Sequence, residues 1–85
     1  MSDDELRTAA ASIIETRVSD RRTRERALAE LADATIVRRG NVVGFLVPAL
    51  DGWDDEGLSG VVEQRFTRVV LAGTQDRLEQ DLEFA

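Results

Sequence analysis

Eleven arginines carry all the positive charge of this 85-residue chain, and seven of them fall between positions 17 and 39. A guanidinium is always charged, and its planar fork matches the oxygens of a phosphate or the major-groove edge of guanine. Arg21, Arg22, Arg24 and Arg26 crowd what reads as the first two turns of a helix, with Thr23 among them. Arg38 and Arg39 precede Gly40 and Asn41 in a β-hairpin pattern. These eight residues, Arg21, Arg22, Thr23, Arg24, Arg26, Arg38, Arg39 and Asn41, are the candidate nucleic-acid contacts. The bland alternative is that the arginines pair with Asp20, Glu25, Glu30 and Asp33, or with the acidic remainder of the chain. Arginine near a helix N-terminus opposes the helix dipole. Phosphate would relieve that cost, as would solvent or Asp20.

Other chemistries find little to work with. The chain has no His, Cys, Tyr or Lys, so it lacks the usual bases and nucleophiles and the commonest metal ligand. Its six glycines fit neither a dinucleotide nor a Walker phosphate loop. No enzyme, cofactor or metal site is expected. The acidic stretch Asp51, Asp54, Asp55 and Glu56 offers oxygen ligands but lacks the spacing of a calcium loop, and reads as a solvated loop. Trp53 within it either pins that loop to the core or anchors a partner.

Net charge is −6, unevenly laid out. Residues 1–16 hold four acids against Arg7, a net of −3; residues 17–39 hold seven arginines against four acids, a net of +3; residues 40–85 hold nine acids against three arginines, a net of −6. A basic island thus sits between acidic flanks. The lysine-free, acidic composition is of the halophilic kind, or that of a GC-rich source. In such a setting a pI of about 4.5 does not argue against binding nucleic acid. No apolar run approaches the ~20 residues of a membrane span and the start is acidic, so a cytoplasmic protein without membrane contact is expected.

The elements that must position the arginines follow from periodicity. Leu6, Ala9, Ala10, Ile13, Ile14 and Val18 recur at helical steps and predict a helix over 3–17, capped by Ser2 or Asp3. Ser19 is a candidate cap for a helix over 20–33 that buries Ala27, Leu28, Leu31 and Ala32. Residues 34–37 and 42–47 predict strands joined by a turn from Arg38 to Asn41. The second is apolar at both parities, so it is either covered on two sides or paired with a second subunit. Leu58, Val61, Val62, Phe66, Val69 and Val70 predict a third helix over 60–72, capped by Ser59 and stopped by Gly73. Thr74 can cap a last short helix carrying Leu78, Leu82 and Phe84. The expected fold is α+β in the order α-α-β-β-α-α, one domain of residues 1–85. A basic helix–hairpin (18–48) precedes an acidic helical half (51–85).

From Ala27 to Gly40 the sequence ALAELADATIVRRG resembles the end of the recognition helix and the first wing strand of winged helix-turn-helix regulators. That resemblance implies Arg21, Arg22, Thr23 and Arg26 in the major groove, with Arg38, Arg39 and Asn41 of the wing on phosphate. Residues 36–48, IVRRGNVVGFLVP, are also similar to the hairpin of Phd/YefM antitoxins. This implies a dimer on operator DNA whose acidic C-terminal part wraps a toxin. Both place DNA contact in the same residues. The expectation is therefore a homodimeric DNA-binding transcriptional regulator, with Trp53, Phe66, Leu78, Leu82 and Phe84 as partner-binding residues. A protein-only interaction module is the alternative of a different class.

Overall fold

A computed structural model describes residues 2–52, 58–62 and 67–84. Its first element, α1 (Asp3–Arg17), begins at a capping box: the Ser2 hydroxyl accepts the Glu5 N–H at 3.2 Å while the Glu5 carboxylate accepts the Ser2 N–H at 3.4 Å. Acids fill its first turn and Arg17 its last, both favourable to the helix dipole. The second helix, α2 (Arg21–Asp33), starts one residue later than the sequence implies. Asp20 rather than Ser19 is its cap, because the Asp20 carboxylate takes both the N–H (2.9 Å) and the hydroxyl (2.6 Å) of Thr23.

The strands β1 (Ile36–Arg39), β2 (Val42–Leu46), β3 (Leu58–Val62) and β4 (Thr67–Ala72) form one mixed sheet in the order β1-β2-β4-β3. β1 and β2 are an antiparallel hairpin, β2 and β4 run parallel from Val42↔Arg68 to Leu46↔Ala72, and β3 returns antiparallel to β4. A 3-10 turn at Pro48–Leu50 follows β2, and α3 (Gln75–Phe84) follows β4.

Alternation along the central strands sends side chains into two cores. Val43, Phe45, Val69 and Leu71 meet Leu6, Ala10, Ile14 and Leu31 of α1 and α2 on one face; Val42, Val70 and Ala72 meet Leu78 and Leu82 of α3 on the other. That explains why β2 is apolar at both parities: it is covered on two sides, as strands of parallel pairs generally are. Arg7 ties the first core together. Its guanidinium lies 5.7 Å from the Phe45 ring centroid and donates to the Leu31 carbonyl at 2.6 Å, supplying at the end of α2 the positive charge that helix lacks in its own last turn.

The class is α+β, with the hairpin packed between helices. The predicted helix over 60–72 is the correction: those residues supply β3 and β4, so the C-terminal half is not all helical, and Ser59 lies within β3. The apolar spacing of this stretch fits either element, but Val61, Val62, Thr67, Val69 and Val70 are β-branched and favour strands. A four-residue run, Val69 to Ala72, is buried on both faces of the sheet. Thr74 does cap the last helix, accepting the Arg77 N–H at 3.2 Å. No helix among the described residues is long and apolar enough to cross a membrane.

Two glycines permit close packing. Gly73, expected as a helix stop, instead ends β4 where the chain crosses the turn after β2. A Cβ there would meet the Asp51 backbone N and Cα, and Leu50 C at 2.6 Å. A Cβ on Gly44 would lie 2.7 Å from Leu78 Cδ1, but that is the movable tip of a side chain. Gly73→Ala is therefore expected to destabilise by about 3 kcal/mol or more, and Gly44→Ala by only about 1 kcal/mol. Urea denaturation of the two variants beside the parent checks both the sign and the order.

Candidate nucleic-acid interface

The hairpin turn is tighter than the sequence suggests. Arg38 and Arg39 belong to β1, and only Gly40 (φ 58°) and Asn41 make the turn. Consecutive strand residues point to opposite faces, so the two guanidiniums part company. Arg38 reaches Asp3 at the start of α1 (2.7 Å), and Arg39 reaches Glu79 on α3 (2.9 Å). Both side chains remain about half exposed, at 51% and 52%. Exposed ion pairs of this kind contribute about 0–1 kcal/mol. Loss of either pair therefore costs the fold little.

A further arginine joins this end of the sheet. Arg68 opens the parallel ladder opposite Val42, donates its N–H to the Asn41 carbonyl at 2.8 Å, and is exposed. Arg39, Val42 and Arg68 thus stand in one row across β1, β2 and β4. Sequence reasoning missed Arg68 because the pattern placed it on a helix. The signal was present in the β-branched residues on either side of it.

The second group of arginines surrounds the corner between α1 and α2. Arg24 donates to the Val18 carbonyl (3.3 Å) and so caps the C-terminal end of α1. Arg21 pairs with Glu25 (3.1 Å) and Arg26 with Glu30 (3.4 Å), each one turn along the same helix. The other oxygen of Glu30 accepts the Ala49 N–H at 2.7 Å, holding α2 to the 3-10 turn. Arg22 and Arg17 are exposed and have no ion-pair partner among the described residues. Thr23 is occupied by Asp20.

The two groups are not adjacent. Arg38 sits at the N-terminal end of α1 and Arg24 at its C-terminal end, and the 15 residues between set them about 20 Å apart at ~1.5 Å per residue. Helix arginines and hairpin arginines therefore form two patches joined by the length of α1.

Of the predicted partner-binding residues, Leu78 and Leu82 are spent within the chain, buried on Val42, Val70 and Ala72. Their place in the sheet's second core comes from β4, which the sequence pattern did not reveal. Trp53 and Phe66 lie outside the described residues, as do Asp54, Asp55, Glu56 and the Phe84 side chain. Among the described residues no cluster of three acid, His or Cys side chains is arranged to hold a metal ion. Comparison with family models, with curated proteins and with solved structures returns no match.

One carboxylate at the helix corner has a shifted titration. The Thr23 hydroxyl, then the Thr23 N–H, and lastly the charges of Arg22 and Arg24 hold Asp20 below its usual value, against a small opposing effect of burial. A lowered pKa stabilises the fold above the unfolded-state value of ~3.9 and ceases to do so as pH falls through the folded value. Asp20→Ala should lower the urea midpoint at neutral pH. Its difference from the parent should narrow below about pH 4, down to what the neutral carboxyl still contributes as a cap once Asp20 is protonated in both states. Paired denaturation curves across that range check it.

Proposed function

We propose that this chain is a small DNA-binding transcriptional regulator that works without catalysis or cofactor. The observation that supports it is the gathering of Arg38, Arg39, Asn41 and Arg68 at one end of the sheet in a chain of net charge −6. The acidic surface elsewhere repels a polyanion, which leaves the basic ends as the orientation of approach. In this reading the sheet end straddles the backbone, with Arg38 and Arg39 on phosphates from opposite faces. The first turns of α2, led by Arg22, supply the contacts that select sequence. The resemblance to winged helix-turn-helix and Phd/YefM hairpins supports the same assignment of residues.

A protein-only interaction module is the second reading. What favours it is that Arg21, Arg24, Arg26, Arg38 and Arg39 all have partners within the chain. Salt separates the two. Contacts to several phosphates make affinity fall steeply with salt, whereas an apolar interface holds or strengthens as salting-out ions are added.

Fluorescence anisotropy with DNA fragments from around the chain's own gene, over a salt series, is the test. The expected outcome is binding to a subset of fragments that weakens as salt rises. Arg38→Ala with Arg39→Ala should reduce the slope of log K against log salt by about two, and Arg68→Ala by about one. The unfolding free energy should move by less than about 2 kcal/mol, at most about 1 for each pair lost. Absence of binding at every salt concentration, or a slope unmoved by these variants, would leave the interaction module.

A further inference from the structure

β1 is an edge: among the described residues it pairs only with β2. Open edges invite another strand, and proteins ordinarily blunt or occupy them. The chemistry along this edge is polarised. At its start stands Asp33, the last residue of α2, which is exposed and has no ion-pair partner among the described residues. It adds a negative charge to the negative end of a helix that has no basic residue in its last turn. At the other end of β1 is Arg39. Beside this edge lies an open groove of about 510 Å³ whose lining includes Thr35, Val37, Leu46 and Gln75 and two acids, Asp33 and the Glu30 that Arg26 already holds.

We propose that β1 pairs antiparallel with β1 of a second copy of this chain, about a two-fold axis through Val37, so that the two sheets become one. Residues directly opposite in a sheet share a face. Thr35, Val37 and Arg39 share the α3 face of β1, so the register that sets Val37 against Val37 of the partner subunit sets Thr35 against the partner's Arg39. That guanidinium enters the groove beside Asp33, and the symmetric contact forms at the other end, as a two-fold interface requires. A foreign strand would need a base for Asp33 and an acid for Arg39 at this spacing. The chain's own edge read in reverse already carries a base where Asp33 has none, and it brings the partner's Asp33 to an Arg39 that holds only the half-exposed Glu79. The pairing competes with the nucleic-acid reading for Arg39, so the two are tested apart.

The test is a charge exchange read by sedimentation equilibrium without DNA. Asp33→Arg alone sets two arginines together at each end of the interface, and Arg39→Glu alone sets two acids together. Each variant should dimerise at least about tenfold more weakly than the parent. An equimolar mixture of the two places opposite charges at both ends and should recover dimerisation close to that of the parent. Damage within either chain persists in the mixture, so recovery reports contact between copies. A parent chain that is monomeric at the highest concentration reached overturns the proposal, as do variants that dimerise like the parent or a mixture no better than its components. A monomer whose groove amides shift only when a basic peptide is added overturns it in favour of a foreign strand.

Discussion

The parallel contact of β2 with β4 is what both helical layers presuppose. These strands alternate their side chains into two cores, so neither face can be left to solvent. On one face Val43, Phe45, Val69 and Leu71 need α1 and α2; on the other Val42, Val70 and Ala72 need α3. An 85-residue chain buries only about 60% of its unfolded surface, and such domains are marginal. Here the protein divides a small apolar inventory between two thin cores instead of building one thick one. The crossing of Gly73 over Asp51 and Leu50 allows this, because it brings the end of β4 against the chain leaving β2 without a side chain between.

Arginine has two employments in this structure, and they compete. Arg38 and Arg39 fasten the edge strand to α1 and α3 through Asp3 and Glu79, while Arg7 reaches further inward, to Phe45 and the end of α2. Of these three, only Arg38 and Arg39 stand open enough for another anion to take the carboxylate's place. Any such ligand must outbid a carboxylate already in position, and salt weakens both contacts. At ~1 M salt the screening length is about 3 Å. Contact pairs are then weakened less than longer-range attraction and repulsion, which fade, and an acidic chain is relieved of much of its self-repulsion.

The first half of the chain was legible because each of its elements announces itself twice. Helix α1 has both an apolar stripe and Ser2 with Glu5; the hairpin has both β-branched strands and Gly40-Asn41. From residue 58 onward the apolar spacing is ambiguous, because a strand buried on both faces can mimic a helix period, and the β-branched residues that favour strands were outweighed by it. Val69 to Ala72 satisfies a helix period and a fully buried strand alike. Long-range pairing with β2 decided the matter, and no local window contains it. The site followed the same pattern. The sequence marked the hairpin arginines, but strand alternation separated Arg38 from Arg39, and the unseen strand brought Arg68 to their side. Ser19 was the expected cap of α2, and the hydrogen bond from the Thr23 hydroxyl explains why Asp20 takes that place instead.

The parallel ladder also orders events in time. Its two strands are separated by the whole of β3, so during synthesis the hairpin and both N-terminal helices are complete before β4 exists. Until residue 72 has left the ribosome, β2 shows one bare apolar flank, and β3 has no neighbour to receive it. Such non-local closure slows folding, and unpaired apolar strands are the usual starting point of aggregation. The residues from 67 onward thus complete the structure of those before them, and the nascent chain is at its most vulnerable until β4 and α3 have emerged.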